Sequence, residues 1–313
     1  MKKLNEVSID EVFETFVLIK EMNLRTSKVG KKYQQFKFRD EAMELNGFLW
    51  DTNDYTITNF VPGTVVHIQA KKELYQGMPQ LNQIRLRLPN EDEPSNPTDF
   101  EKQPSMNAKQ MEEEISKFLF KIEKANWQRI TRKLVDTYRE QFFEYPAAKT
   151  NHHNFTGGLA FHTITMLHLA EKIIEIYPQV NASLLYAGII LHDLGKVIEL
   201  TGPINTQYTL AGNLLGHIAI MDEEIIKAAR DLKIEDTKEE VIVLRHLILS
   251  HHGQLEFGSP VVPKILEAEI LHQIDNFDAK MMMMLSNLEQ IAPGEVTPRV
   301  MGLEGRNFYK PNY

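Results

Sequence analysis

The sequence contains no cysteine, so disulfides and thiolate metal ligands are both excluded. Any bound metal must therefore be held by histidine and carboxylate side chains, which suit hard or borderline divalent ions. A cysteine-free chain is also compatible with a reducing compartment. No apolar run within Met1–Lys20 reaches the length of a signal peptide or of a membrane span. We therefore expect a cytoplasmic protein without a membrane partner.

Length and composition favour two soluble globular domains. The chain has 313 residues, of which 42% are hydrophobic and 25% are charged. Its net charge of −8 argues against an overall basic nucleic-acid binder, but the charge is unevenly distributed. Residues 1–90 hold 13 Lys/Arg and 11 Asp/Glu, whereas the remainder holds 22 and 32. This division is consistent with nucleic-acid binding in the front part and metal chemistry in the back part.

The front part has the pattern of short β-strands separated by turn signals around Gly30, Asp51–Asp54, Pro62-Gly63 and Gln76–Pro79. Five strands within so few residues favour a small closed barrel, because closure removes exposed strand edges. The predicted strands are Phe16–Ile19, Tyr33–Arg39, Met43–Trp50, Thr64–Leu74 and Leu81–Leu88.

The back part has helical apolar spacing throughout. The segment 91–104, with three prolines and five acidic residues, is interpreted as a linker that does not pack. The domains are therefore predicted as residues 1–90, a linker at 91–104 and an all-α domain at 105–313. The predicted helices are 108–123, 126–143, 157–176, 181–199, 210–231, 237–252 and 263–289.

Histidine and aspartate side chains recur on the apolar faces of these helices. The pair His192-Asp193 follows an almost wholly apolar run, and Asp275 lies within an amphipathic helix. Such groups are costly in a core unless something satisfies them, and helical bundles build metal sites in this way. The pattern therefore predicts a metal site formed by His162, His192, Asp193, His217, His251, His252 and Asp275.

Two features near this set leave alternatives open. His246 could replace one of the later histidines as a ligand, or it could be a core or supporting residue. The loop His152–Leu159 contains Gly157 and Gly158, which would let the backbone approach a phosphate at the start of a helix. A plain helix cap with exposed histidines explains that loop equally well.

The order His162, His192-Asp193, Asp275 resembles the signature of the HD phosphohydrolase superfamily. The resemblance implies that His162, His192, Asp193 and Asp275 hold one divalent ion. It further implies that Asp193 bridges to a second ion held by His217, His251 and His252. Mn²⁺ is the expected metal, with Co²⁺, Fe²⁺ or Zn²⁺ as alternatives.

Two such ions lie about 3.5–4 Å apart in two-metal sites, where they clamp a phosphodiester and activate a water molecule. Asp193 is then a catalytic residue as well as a ligand. Lys196, one turn beyond it, would add positive charge near the transition state. The sequence contains no phosphate-binding P-loop and no dinucleotide fingerprint.

The predicted barrel carries aromatic and basic residues suited to single-stranded nucleic acid. Tyr33 and Trp50 are candidate stacking platforms, along with Phe36, Phe38 and Tyr75, although the strand alternation requires one face to be core. The candidate phosphate contacts are Lys28, Lys31, Lys32, Lys37, Arg39, Lys71 and Lys72.

The segments Phe16–Asp40 and Gly47–Asp51 resemble the OB-fold of the tRNA-anticodon-binding type. An OB-type β-barrel followed by an HD-domain helical bundle, a multidomain α and β architecture, is similar over essentially the whole chain to the YhaM family of 3′→5′ exoribonucleases. The resemblance implies release of nucleoside 5′-monophosphates from single-stranded RNA. Single-stranded DNA as a substrate and a homo-oligomeric assembly both stay open.

Two other functions compete with this one. The chain could be an HD-type nucleotide or cyclic-nucleotide phosphodiesterase that uses the barrel for regulation. It could also be a non-catalytic, single-stranded nucleic-acid-binding protein, since the same family has been called a replication-enhancer-binding factor. The barrel argues for a polymeric substrate, and the complete ligand set argues for catalysis.

Overall fold

The computed structural model describes residues 2–27, 30–76, 78–101, 104–148 and 155–313. The chain divides into two compact units. One unit contains Met1–Gln103 together with Leu288–Arg299 and Asn307–Tyr313, and the other contains Pro104–Asn287 and Val300–Arg306. The domain limits predicted from the sequence did not anticipate that two C-terminal segments group with the first unit.

The first unit contains a closed barrel, as the sequence predicts. Within the described residues its strand order is β1-β2-β3-β5-β4, with every pairing antiparallel except that between β3 and β5. The first strand is far longer than its apolar centre suggested, because it pairs with β2 through one half and with β4 through the other. The strands are β1 (Val12–Thr26), β2 (Lys32–Arg39), β3 (Glu44–Leu49), β4 (Val65–Tyr75) and β5 (Met78–Arg87).

The barrel core is formed by alternate residues of each strand. Phe36 and Phe38 are at most 1% exposed, and they pack with Val17, Ile68 and Leu81. The open question about the faces of β2 is therefore resolved: these two phenylalanines are core residues, not stacking platforms. The alternate residues Tyr33, Gln35 and Lys37 lie on the opposite face of β2 and are partly exposed.

Two parts of this unit differ from the sequence predictions. The turn predicted at Asp51–Asp54 leads into a short helix, α1 (Asp54–Asn59), whose first turn is capped by the side chain of Asn53. The sequence did not predict α1, because six residues are too few to show the apolar spacing that is typical of a helix. The segment predicted not to pack does pack, since Phe100 is 7% exposed and contacts Leu18 and Val65.

The second unit is helical, as predicted. Its helices in the described part of the chain are α2 (Ala108–Lys121), α3 (Ala125–Thr137), α4 (Arg139–Glu144), α5 (Gly158–Ile176), α6 (Ala182–Leu191), α7 (Lys196–Glu199), α8 (Leu210–Asp231), α9 (Glu239–Ser250) and α10 (Leu266–Glu289).

Three of the predicted helices are interrupted. The predicted helix 126–143 is divided at Tyr138, which leaves helical geometry, and its hydroxyl donates a hydrogen bond to Glu224 over 2.7 Å. The predicted helix 181–199 is divided after Leu191, because the chain turns through His192–Gly195 before α7 begins. Helix α8 is kinked at Gly216, which has φ +74° and ψ 155°, a conformation that favours glycine.

Helix α6 explains why the His-Asp pair is internal. All its residues from Leu184 to Leu191 are buried, so other helices surround it. A chain that leaves such a helix is still inside the bundle one residue later. His192 is 0% exposed and Asp193 is 2% exposed as a result.

Candidate metal centre and nucleic-acid interface

The first cluster is formed by three helices. His162 lies on α5, His192 and Asp193 follow α6, and Asp275 lies on α10. Nε2 of His192 lies 3.3 Å from Oδ2 of Asp193, and Nε2 of His162 lies 3.2 Å from Oδ1 of Asp275. The ligand atoms of His162, His192 and Asp193 all lie within 4.8 Å of one another. This spacing would allow the three residues to share one ion.

The second cluster contains His217 from α8 and the pair His251-His252 at the end of α9. The ligand atoms of these three histidines also lie within 4.8 Å of one another. Oδ1 of Asp193 lies 3.4 Å from Nε2 of His217 and 3.8 Å from Nε2 of His251. Asp193 therefore has one oxygen toward each cluster.

The hydrogen bonds of the histidines determine what their rings offer to the centre. Nδ1 of His192 donates to the carbonyl of Ile189 over 2.8 Å, and Nδ1 of His251 donates to that of Ile248 over 2.7 Å. A carbonyl only accepts, so Nδ1 carries the proton in each neutral ring and Nε2 presents a lone pair. Among the described residues, the buried Nε2 atoms of His192, His217 and His251 have no hydrogen-bond partner.

Lone pairs and carboxylates that converge in a buried space repel one another unless a cation lies between them. The donor set therefore fits a divalent metal ion, and histidine and carboxylate ligands suit Mn²⁺, Fe²⁺, Co²⁺ and Zn²⁺ alike. The residues thus define the class of ion but not its identity.

The charges of the first cluster are fixed by their neighbours. Burial alone would raise the pKa of Asp193, but the adjacent Lys196 and His192 hold it well below its usual value. Burial likewise opposes ionisation of Asp275, yet its hydrogen bond from His162 lowers the pKa of that carboxyl group. Both carboxylates are consequently ionised at neutral pH and available as ligands.

Two of the histidines differ in their preference for a proton. Burial lowers the pKa of His162, but hydrogen bonds to Asp275 and Asp278 outweigh that effect and raise the pKa to about 9. Burial lowers the pKa of His251 well below its usual value, and the neighbouring His252 lowers it further. His251 is therefore neutral at pH 7, whereas His162 would have to release the proton on Nε2 before that atom could bind an ion.

Lys196 does not lie in solvent. Its Nζ donates to Oδ2 of Asp193 over 2.6 Å, and its side chain is 12% exposed. Burial lowers the pKa of Lys196, but the Asp193 carboxylate outweighs this and raises it, so the side chain stays charged. The ammonium group of Lys196 lies directly beside the Asp193 carboxylate, which lies between the two clusters.

Three residues that contact the clusters were not found from the sequence. Asp278 accepts a hydrogen bond from Nδ1 of His162 over 2.7 Å, and Glu199 accepts one from Nδ1 of His217 over 3.1 Å. His272 donates to the carbonyl of His251 over 3.0 Å. Asp278 could have been found, because it lies one helical turn after Asp275 and so shares its face. Glu199 offered no such signal, since α7 and α8 approach only in the folded chain.

The structure bears on the two alternatives that the sequence left open, the role of His246 and that of the loop before His162. Nε2 of His246 accepts a hydrogen bond from the backbone of Lys264 over 3.0 Å, so this atom supports the backbone instead of facing the clusters. His152 and His153 lie outside the described residues. Gly157 has φ +77°, and a Cβ atom there would lie 3.1 Å from the carbonyl oxygen of Phe143. Packing therefore accounts for this glycine.

The rings of Tyr33 on β2, Phe48 on β3 and Trp50 just beyond β3 lie together on one face of the barrel. The ring centroids of Tyr33 and Trp50 are 4.7 Å apart, and those of Phe48 and Trp50 are 6.0 Å apart. Trp50 is 50% exposed. Arg25 pairs with Tyr33 and Gln35 pairs with Phe48, so alternate residues of β1, β2 and β3 share this face. Bases could stack on such a surface.

Two of the predicted phosphate contacts are wrong, because their charges are buried. Arg39 is 7% exposed and forms ion pairs with Glu44 and Glu101. Lys72 is 6% exposed, and its Nζ donates to the carbonyls of Leu4 and Val7 at 2.9 Å each. Both cations hold the barrel together and have no free surface for a phosphate.

The other predicted contacts are accessible to different degrees. Lys32 is exposed, and Lys31 is 66% exposed despite its ion pair with Asp51. Lys37 pairs with Glu21 over 2.6 Å, and Lys71 pairs with Asp10 and Glu73 at 2.9 Å each. A phosphate would have to displace those carboxylates. Lys28 lies outside the described residues.

Known proteins resemble this chain over its whole length. The HD domain family model matches residues 159–280, which include every residue of the two clusters. The 3′-5′ exoribonuclease YhaM of Listeria welshimeri is 44% identical over 312 residues, covering 100% of this chain and 99% of that protein. The proteins of the same name from Listeria innocua and Listeria monocytogenes are 44% and 43% identical with the same coverage. The chain belongs to the YhaM exoribonuclease family.

The two parts of the chain occur in the order that the sequence predicts. The predicted architecture, a β-barrel followed by a helical region with an HD domain, is confirmed. Among the described residues, no helix is both long and apolar enough to span a membrane. The HD match and the two histidine clusters together indicate binding of divalent metal.

Proposed function

We propose that this chain is a metal-dependent 3′→5′ exoribonuclease that releases nucleoside 5′-monophosphates from single-stranded RNA. The observation that carries the proposal is the convergence of the Asp193 carboxylate with buried Nε2 atoms from both clusters, in a chain of the YhaM family. Hydrolysis of a phosphodiester needs a centre that attracts both the phosphate and water. A cluster of lone pairs around one shared carboxylate is suited to hold the cations for this task.

Two ions are proposed, one in each cluster. His162, His192, Asp193 and Asp275 would hold the first, and His217, His251, His252 and Asp193 the second. When bound, such ions activate water as a nucleophile and neutralise charge on the phosphate. We propose Mn²⁺ as the ion, with Fe²⁺, Co²⁺ and Zn²⁺ as alternatives, because nitrogen and oxygen donors without any thiolate suit all four.

The protein side chains contribute orientation and charge. The ring nitrogens that face away from the centre are anchored by hydrogen bonds, so the imidazoles are oriented before any ligand arrives. Lys196, held 2.6 Å from Asp193, supplies a fixed positive charge beside the reacting phosphate. A preorganised charge of this kind stabilises the extra negative charge of the transition state.

RNA binding is assigned to the exposed face of the barrel. Tyr33, Phe48 and Trp50 supply neighbouring rings. Lys32 begins β2, the strand that carries Tyr33, and Lys31 directly precedes it. Stacking tolerates any base and the lysines attract the backbone, so this face suits single strands of any sequence. A duplex offers no unstacked bases to these rings, which is why single-stranded RNA is the proposed substrate.

The test is hydrolysis of an RNA labelled at its 5′ end, after removal of metal and addition of Mn²⁺. We expect products that shorten one nucleotide at a time from the 3′ end, with nucleoside 5′-monophosphates in the supernatant. A matched DNA strand, a duplex RNA and cyclic nucleotides are the competing substrates. Hydrolysis of cyclic nucleotides with an intact RNA strand would favour the phosphodiesterase alternative, and binding without hydrolysis of any substrate would favour the non-catalytic one.

A further inference from the structure

The two proposed ion sites each contain one histidine that is supported by a carboxylate. Nδ1 of His162 donates to Asp278, and Nδ1 of His217 donates to Glu199. The remaining histidines of the clusters use main-chain carbonyls instead, those of Ile189, Ile248 and Phe257. A carboxylate partner raises the basicity of an imidazole more than a neutral carbonyl does. We therefore expect His162 and His217 to donate their Nε2 lone pairs to a metal ion more strongly than the other histidines of their clusters do.

Glu199 accepts a second hydrogen bond from His217, at its backbone. The kink at Gly216 interrupts the helical hydrogen-bond pattern just before His217. The backbone N–H of His217 instead donates to Oε1 of Glu199 over 3.0 Å, the same oxygen that accepts from its ring over 3.1 Å. One carboxylate oxygen thus fixes both the backbone and the ring of this residue.

Glu199 is itself held rigidly against α8. Its carbonyl accepts a hydrogen bond from the backbone of Thr209 over 2.9 Å. A Cβ atom on Gly212 would lie only 2.2 Å from that carbonyl oxygen, so the two helices touch along their backbones. The side chain is 11% exposed, which leaves water little chance to compete for its oxygens.

We infer that Glu199 is the positioning residue of the second ion site, and that it sets the affinity of that site by orienting His217. Asp278 has the corresponding role toward His162 in the first site. The inference rests on the two-ion arrangement proposed above. It predicts that the two carboxylates control the two ions separately, because each contacts a different histidine.

The experiment is a calorimetric titration of the full-length, chelator-treated protein with Mn²⁺ alone. Glu199→Gln is the main variant, because its amide oxygen can still accept both N–H bonds while the negative charge is lost. We expect about 10–100-fold weaker binding of one equivalent, with the other equivalent unchanged within about twofold. Asp278→Asn is the matched variant and should weaken the other equivalent. The double variant should weaken both.

Two results would overturn the inference. One is wild-type affinity for both equivalents in Glu199→Gln. The other is an equal loss of both equivalents, which would make Glu199 a residue of general structure; near-ultraviolet circular dichroism of the metal-free variants reports such a loss of packing. Nuclease activity is measured separately. If the variants lose the two equivalents separately but the wild-type protein leaves RNA intact, the proposed function is refuted and the role of Glu199 is supported.

Discussion

Oδ1 of Asp193 faces Nε2 of His217 at 3.4 Å, across the boundary between the two histidine clusters. The other oxygen of the same carboxylate lies 3.3 Å from Nε2 of His192. One side chain therefore belongs to both clusters, and Lys196 keeps it ionised. Replacing Asp193 should therefore affect both clusters, whereas replacing a histidine should affect only its own cluster.

Replacing Asp193 should remove both ions. Asp193→Ala takes away a carboxylate with one oxygen toward each cluster, and it leaves the buried Lys196 without its hydrogen-bond partner. We expect loss of both metal equivalents and of RNA hydrolysis, because a shared ligand is needed by each ion. Metal content after dialysis and single-turnover RNA assays measure the two effects.

The control for this variant is Asp231→Ala, at the end of α8, where the carboxylate is 63% exposed and pairs with Lys133. It should keep both ions and full activity. A chelator-treated Asp193→Ala protein that regains near-wild-type rates with added metal would refute the assignment of Asp193.

Replacing His252 should affect one ion only. His252→Ala removes a ligand of the second cluster, whereas His162, His192 and Asp275 stay in place. We expect one weakened metal equivalent and turnover reduced about tenfold or more, because the remaining ion still binds phosphate but activates water poorly. His246→Ala is the matched control, since its Nε2 bonds to the backbone of Lys264. Two full equivalents in His252→Ala would show that the second site is misassigned.

The ligand candidates could be found from the sequence because their surroundings are apolar. His192-Asp193 follows eight consecutive buried residues, and Asp275 interrupts an apolar helical face, so each stood out as a polar group without an evident partner. Glu199 could not be found in this way. Its role depends on the kink at Gly216 and on the approach of α7 to α8. The spacing of apolar residues along a single helix predicts neither of these features.

The barrel shows why charge is harder to interpret than apolar pattern. Phe36 and Phe38 alternate as a core pattern requires, and they are buried. Arg39 was expected to face solvent, but it is 7% exposed because it packs against Glu44 and the distant Glu101. Whether a basic residue is free therefore depends on distant segments, which the sequence pattern of one strand does not report.

Lys20, which lies 4.0 Å from Glu101, predicts how the stability of the barrel depends on pH. Burial, reinforced by the neighbouring Arg39, lowers the pKa of Lys20 to about 8 from an ordinary 10.5. Between these values the unfolded chain holds more protons than the folded one, so the free energy of unfolding rises with pH. We expect a rise of about 1–2 kcal/mol from this residue between pH 7.5 and 9.5.

The measurement for Lys20 is urea unfolding at both pH values, followed by fluorescence of Trp50 in a Trp127→Phe background. Lys20→Met has a side chain of similar length that does not titrate, so it removes this contribution and leaves those of the other lysines. The wild-type protein should gain stability relative to Lys20→Met as the pH rises. An equal pH dependence in the two proteins would contradict the lowered pKa.

RNA binding and barrel stability can be separated by comparing one exposed residue with one buried residue. Trp50 is 50% exposed beside Tyr33, whereas Lys72 is buried on the carbonyls of Leu4 and Val7. Trp50→Ala should weaken binding of single-stranded RNA by about 1–3 kcal/mol with little change in unfolding. Lys72→Met should leave RNA affinity unchanged but lower the free energy of unfolding by about 1–3 kcal/mol, because two buried carbonyls lose their donor.

Salt dependence completes the comparison, because phosphate contacts and stacking respond to it differently. Lys32 is exposed at the start of β2, so Lys32→Gln should reduce the slope of log affinity against log salt by about 0.7, the value for one phosphate on a single strand. Trp50→Ala should leave that slope unchanged, since stacking releases no counterion. Fluorescence anisotropy of a labelled RNA with catalytically inactive Asp193→Ala protein measures both. If neither variant altered RNA affinity or its slope, this face of the barrel would not be the RNA-binding surface, and the strand would have to be held by the helical unit alone.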